Sequence, residues 1–244
     1  MQKKYFMFTF YAIIALFAHP IFAQVTPSKV VTSQKQSQLT PAEALNLLKQ
    51  GNQRFLNDQM RNYNYAKDMK ISTKYGQYPI AIILNCIDSR SIAETLFDQG
   101  IGSIFVSRIA GNVVGKDVLG GMEFATQHAG TKLVVVMGHT SCGAVQAACA
   151  NPRLNERNLS DLIEQIQPAV KQVSKTQKLN CDSPKQVDEI AKQNVIDQVN
   201  NIYKDSPTIK KLVDEHKIML VGAMHNIATG NVDFFYEFNP GKQS

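Results

Sequence analysis

The 244-residue chain has no tryptophan, no internal repeat and no low-complexity segment, and past its first 23 residues it has no long apolar run. A membrane-spanning helix needs roughly 20 apolar residues, so the mature chain should hold no stable membrane anchor. There is also no basic stripe interleaved with aromatics. The lysines are scattered along helical segments and the formal charge of +6 is mild. A nucleic-acid partner would call for a concentrated basic patch, and none is expected. Cysteine is scarce, with four in the chain and none at the end of the leader, so a lipid-anchored start is not supported.

What is present begins with an export signature. Lys3 and Lys4 precede an almost wholly apolar stretch from Tyr5 to Ala18, and Pro20-Ile21-Phe22-Ala23 ends it on a small residue. Residues 1–23 therefore read as a signal peptide cut before about Gln24, which places the mature chain in the periplasm or outside the cell. The rival reading is an uncleaved anchor. Cleavage removes two lysines and no acid, so +6 less two leaves +4. Residues 24–39, rich in Ser, Thr, Gln and Lys, read as a flexible leader, and 40–244 as a single domain with a real core.

That domain opens on a sharp helix start. Thr40 and Glu43 form a capping box with Pro41 at the first helical position, and Ala44, Leu45, Leu48 and Phe55 follow at helical spacing. Apolar runs at 80–84, 104–107, 133–137 and 218–221 then read as strands, with helices at 120–128 and 143–150. The stretch 160–216 is polar and helix-rich. Residues 231–235 alternate after Thr229-Gly230 and are a candidate for an added edge strand. Near-continuous apolar strands separated by helices imply an α/β fold: a mostly parallel central sheet flanked by helices, with an antiparallel edge strand and an N-terminal helical arm.

Two segments carry the chemistry. Cys86-Ile87-Asp88-Ser89-Arg90 follows the first strand, and His139-Thr140-Ser141-Cys142-Gly143 follows the third. In an open α/β sheet, ligands gather beyond the carboxyl ends of strands. Cys86, His139 and Cys142 make a three-donor zinc set, which leaves a fourth position open, as in catalytic zinc sites. Cys142 opens a helical run whose dipole favours the thiolate. The competing reading for any cysteine of an exported chain is a disulfide. Arg90 would hold Asp88 by a charge-assisted pair, and Asp88 would accept the proton of a metal-activated water; the plainer reading is a turn salt bridge.

Cys-x-Asp-x-Arg followed by His-x-x-Cys-Gly resembles the zinc signature of the β-class carbonic anhydrases. Ser107-Arg108-Ile109-Ala110-Gly111-Asn112 is similar to that family's Arg-x-Ala-Gly-Asn stretch, and Gly121-Met122-Glu123-Phe124-Ala125 to its Gly-x-Glu-Tyr-Ala helix. The likeness runs from about Thr40 to the C-terminus. It implies one zinc per chain and reversible hydration of carbon dioxide to bicarbonate and a proton. The same fold and ligands could also serve hydrolysis of CS2 or COS, or zinc binding without turnover.

The resemblance also implies a homodimer or a dimer of dimers, because the family packs its N-terminal helices over a partner subunit. It places Gln77 where an amide could donate to substrate, and Phe105, Ala110 and Phe124 in an apolar pocket formed partly across the subunit interface. Each of the three could equally be plain core. Gly143 could present its backbone N–H to substrate or allow tight helix packing. Some family members let the aspartate ligate zinc. Others use an arginine aligned with Arg108, together with a tryptophan, in a non-catalytic bicarbonate pocket. With no tryptophan, and with Asn85 before Cys86, that pocket is not expected here and the open form of the site is.

The other histidines read as structural. His128 ends a helix, His216 faces solvent, His19 leaves with the signal, and His225 stands where the family often has tyrosine. Cys149 and Cys181 match no family ligand. They could pair in an oxidising compartment, although spacing alone does not show whether they come within bridging distance.

Overall fold

The computed structural model describes residues 30–150 and 154–242. The signal-peptide reading of residues 1–23 and the first part of the leader lie outside the described residues. From Val30 onward the leader departs from the flexible segment expected for 24–39. Ser33–Gln38 form a short helix, α1, capped by Thr32. Gln36 is buried, and its amide donates to the carbonyls of Pro79 (2.7 Å) and Ala129 (2.8 Å). A buried amide with two carbonyl partners ties this segment to the body, a role that polar composition alone does not announce.

Helix α2 (Pro41–Leu56) starts as the sequence indicates. The Thr40 side chain caps the Glu43 amide and Glu43 reaches back to Thr40. Its stripe of Ala44, Leu45 and Leu48 is buried on the chain's own sheet, beside Ile83, Val135 and Phe97. One chain thus already buries this part of the stripe. Helix α3 (Tyr65–Tyr75) leads to β1 (Ala81–Asn85), and a short helix, α4 (Ala93–Leu96), to β2 (Ile104–Arg108). Helix α5 (Lys116–Glu123) continues into a π-helical turn at Phe124–His128, so the helix expected at 120–128 begins earlier and changes pitch. Then come β3 (Leu133–His139), α6 (Gly143–Ala150), α7 (Arg157–Glu164), α8 (Gln167–Ser174), α9 (Pro184–Asp205), α10 (Pro207–Asp214), β4 (Met219–His225) and β5 (Val232–Glu237).

The sheet order is β2-β1-β3-β4-β5. The first four strands are parallel, and β5 pairs antiparallel with β4, as the alternation at 231–235 suggests. One face of the sheet (Ile82, Leu84, Val134, Val136) packs against α6, α8, α9 and α10; the other (Ile83, Val135, Met137) packs against α2 and α4. Burial of each large side chain there contributes about 1.5–3 kcal/mol. The parallel strands bring the chain ends after β1 and β3 to the same edge of the sheet, and α9 lies over them. A Cβ on Gly138 would come within 2.8 Å of Val195 and 2.9 Å of the Met224 sulfur, so the glycine permits that close packing beside the site.

Candidate metal centre

Asn85 of β1 pairs in register with Met137 of β3. Cys86 therefore leaves the sheet beside His139, the last residue of β3. The chain turns at Thr140-Ser141, with Ser141 at φ 55°, and α6 begins immediately after Cys142. This turn is held from two sides. The Thr140 amide donates to the His225 carbonyl at 2.9 Å, and the Ser141 amide donates to Asp188 of α9 at 2.7 Å.

The donor atoms of Cys86, His139 and Cys142 all lie within 4.8 Å of one another, and all three residues are buried. The sulfurs are 4.0 Å apart and both cysteines are free. Two Zn–S bonds of about 2.3 Å in a tetrahedron separate their sulfurs by about 3.8 Å, so the spacing fits a shared zinc. His139 supplies the decisive detail. Its Nδ1 lies 2.9 Å from the Thr140 carbonyl, which fixes the proton there, while its buried Nε2 has no hydrogen-bond partner. A buried, unpartnered imidazole nitrogen grouped with two sulfurs could hold a metal ion, which would compensate its lost hydration.

The electrostatics agree. Between the two sulfurs the Cys142 thiol donates to Cys86. That bond is the main cause lowering Cys86 to about 4, with burial opposing it and the nearby His139 imidazole and the Asp88 and Gly111 amides assisting. Cys142 is pushed up, first by its bond to Cys86 and then by burial, while the Val145 and Ala144 amides at the start of α6 pull it down. Burial lowers His139, but the Cys86 thiolate beside it outweighs that and leaves it raised. Such a cluster holds negative charge that a divalent cation would relieve.

Asp88 is not among the clustered donors. The Arg90 guanidinium donates to both of its oxygens, at 3.0 and 2.8 Å, and the Arg90 amide adds a third bond at 3.0 Å. The guanidinium is the chief reason the Asp88 carboxyl sits well below the usual carboxylate range.

Two residues brace this loop in ways that residue type alone did not reveal. Arg108, at the end of β2, donates to the carbonyls of Cys86 (3.2 Å) and Asp88 (2.6 Å). Gly111, at φ 66°, donates its amide to the Cys86 sulfur at 3.4 Å, and a Cβ there would meet the Ile166 side chain at 2.6 Å. His225, read as structural, is buried with its Nδ1 3.2 Å from the Ser91 hydroxyl, which links β4 to the same loop.

The remaining expected positions divide. Ala110 precedes Gly111 in a 3-10 turn beside Cys86, and Gly143 follows Cys142, exposed, with open space around it. Phe105 of β2 packs against the helix-covered face of the sheet and pairs with Phe124, ring centres 6.3 Å apart, and Phe124 is 57% exposed. Gln77 is exposed in the loop before β1. A full strand of five residues, about 16 Å, separates it from the ligand end. One chain does not bring Gln77 to its own metal ligands.

A family model described as carbonic anhydrase matches residues 81–232, which include all three donors and exclude Gln77. The chain belongs to the β-class carbonic anhydrase family. It is 34% identical over 195 residues to carbonic anhydrase 2 of Mycobacterium tuberculosis, covering 78% of this chain and 90% of that one. Its identity to the carbonic anhydrase of Mycolicibacterium smegmatis is 33% over 196 residues, covering 79% and 92%. Among solved structures, a tetrameric β-carbonic anhydrase of Sordaria macrospora shares the fold at a TM-score of 0.63 and 22% identity, covering 72% of this chain and 95% of that one. A Coccomyxa β-carbonic anhydrase in complex with acetazolamide does so at 0.62 and 24%, covering 80% and 87%. Zinc is the family's metal, and the donor set described here fits it.

Proposed function

We infer that this protein is a zinc-dependent carbonic anhydrase that interconverts carbon dioxide and bicarbonate plus a proton. The observation that carries this is the buried Cys86–His139–Cys142 cluster, with its unpartnered Nε2, next to an Asp88 that Arg90 holds away from the cluster. Zinc, when bound, supplies a Lewis acid that lowers the pKa of a water molecule from 15.7 to about 7. The two cysteines and the imidazole hold the metal. Thr140 fixes the imidazole tautomer through Nδ1, and the Asp88 and Gly111 amides stabilise the Cys86 thiolate. Asp88 stays ionised because of Arg90. A carboxylate so hard to protonate orients the reacting water by accepting its hydrogen bond and passes the proton on; it does not store it at neutral pH.

The partner reading is a homodimer or a dimer of dimers, formed across the β2 edge. β2 is half-buried and, among the described residues, has no strand on its outer side. Phe124, Ile87 and Ile92 are exposed beside it, and the Phe105–Phe124 pair gives the apolar surface that carbon dioxide would need. Gln77 would serve the site of a second copy. Export to an oxidising compartment is supported by the Cys149–Cys181 disulfide. Among the described residues no helix is long and apolar enough to cross a membrane.

Purified protein should hold one zinc per chain and acidify a carbon dioxide solution in a pH-indicator assay, with activity rising through about pH 7. A fully zinc-loaded protein with no hydration activity at any pH would overturn the reading. Native protein should have an intact mass that starts near Gln24; retention of residues 1–23 would argue against export.

A further inference from the structure

His225, the last residue of β4, touches both loops that carry the metal ligands. Its carbonyl accepts the Thr140 amide at 2.9 Å, in the turn between His139 and Cys142. Its Nδ1 lies 3.2 Å from the Ser91 hydroxyl, in the loop of Cys86, Asp88 and Arg90. Ser91 is held a second time, because its carbonyl accepts Asn85 Nδ2 at 2.6 Å. Asn85 and His225 end β1 and β4, and β3, which ends in His139, lies between those strands. Ser91 is therefore gripped from both flanks of the strand that carries a ligand. Asn85, Ser91 and His225 are all buried. Asn85 keeps its place although its Oδ1 is buried without a partner. Apolar groups of the same shape would be nearly neutral for stability, so what these polar contacts add is direction.

What they direct is the acid-base pair. Ser91 follows Arg90, and its amide donates to the Asp88 carbonyl at 2.9 Å. The Arg90 side chain is exposed, so its place depends on the backbone that Ser91 anchors. We propose that His225, acting through Ser91, is a positioning residue for the hydration reaction: it fixes the Arg90–Asp88 pair against the metal centre. This rests on the zinc-enzyme reading above and adds a residue outside both the donor set and the pair itself. The role is geometric and requires no proton transfer at His225.

The test compares three variants of the zinc-loaded protein with wild type. His225→Phe keeps a flat ring and loses Nδ1. Ser91→Ala, the smaller change, removes the same bond from its other end. His225→Asn returns an amide close to where Nδ1 stood. The first readout is amide hydrogen exchange, which needs no turnover. Relative to the Val135 amide in the core of β3, the Arg90 and Ser91 amides should exchange about 10-fold faster in His225→Phe and Ser91→Ala, and near the wild-type rate in His225→Asn. The second readout is kinetic. In the first two variants kcat should fall about 10-fold, with zinc content and KM for carbon dioxide unchanged. In an Asp88→Asn background the same substitutions should cost nothing more, because they act through Asp88. The proposal fails if exchange at Arg90 and Ser91 is unchanged in both variants, or if their kcat losses add in full to that of Asp88→Asn. A wild type that hydrates no carbon dioxide, with faster loop exchange in the variants, would sink the functional reading and leave the brace standing.

Discussion

The chain holds two pairs of cysteines at opposite ends of one helix, and they meet different fates. Cys142 stands immediately before α6 and Cys149 near its end. Cys149 is bonded to Cys181 with their Cα atoms 5.6 Å apart, whereas the Cys142 and Cys86 sulfurs are held 4.0 Å apart and unbonded. The surroundings account for the difference. Cys86 and Cys142 sit past strand ends among amide donors, with an imidazole between them, and are buried. Cys149 and Cys181 are half-buried at a helix end and in a loop, and among the described residues no imidazole or amide donates to their sulfurs. A disulfide needs sulfurs at about 2.05 Å. Bringing the first pair that close would move the Cys86 sulfur, which now accepts from the Gly111 amide. Scaffold geometry thus assigns one pair to a metal and the other to a covalent tie.

The largest effect should come from breaking the metal pair. Cys142→Ser or His139→Ala leaves two donors, too few to hold a tetrahedral zinc tightly. Metal content should fall to near zero and hydration activity with it, by elemental analysis and indicator assay on the same samples. Zinc retained at one per chain in either variant would mean that the cluster is not the metal site.

A smaller effect should follow from leaving all four cysteines in place and changing their neighbour. Asp88→Asn keeps the three donors and much of the hydrogen bonding to Arg90 and the loop, but the amide no longer offers a carboxylate to the reacting water. Zinc should stay at one per chain while turnover drops by about 10²-fold, the scale of removing a general base. Turnover close to wild type would reduce Asp88 to a turn residue. The strongly lowered Asp88 pKa adds a sign: the carboxylate remains ionised throughout the mildly acidic range, so loss of wild-type activity toward acid does not report its protonation.

The contrast between the pairs also marks what the sequence could carry. Cys86, His139 and Cys142 were legible because donor types at the ends of two apolar runs converge in any parallel sheet. The capping box at Thr40 and the alternation at 231–235 were legible because both are local. Arg108 was not, because its partners here are the backbone carbonyls of Cys86 and Asp88, and a carbonyl leaves no mark in the residue string. The helix in the leader was hidden for a like reason: Gln36 is explained only by the carbonyls of Pro79 and Ala129, which lie far along the chain. Gln77 and Phe124 lie beyond what one chain completes. The pairing of Cys149 with Cys181 was open because 32 residues separate them and their approach depends on how α7 and α8 fold back.

The smallest effect on chemistry should come from breaking the covalent pair. Cys181→Ser opens a loop of 32 residues that closes the insertion carrying α7 and α8 onto α6. Chain entropy in the unfolded state then rises, and stability should fall by about 2–4 kcal/mol in chemical denaturation. Zinc should remain at one per chain and turnover near wild type, because the turn that carries Cys142 is still held by the Thr140 bond to β4 and by Asp188 on α9. Thiol counting checks the premise. Of four cysteines, the wild type unfolded with chelator and without reductant should show two reactive thiols, since Cys149 and Cys181 are bonded and Cys86 and Cys142 are not. Four thiols would mean that the bridge does not form. Loss of zinc on Cys181→Ser would mean that α6 transmits strain from one pair to the other, and the two sites would then be one cooperative unit.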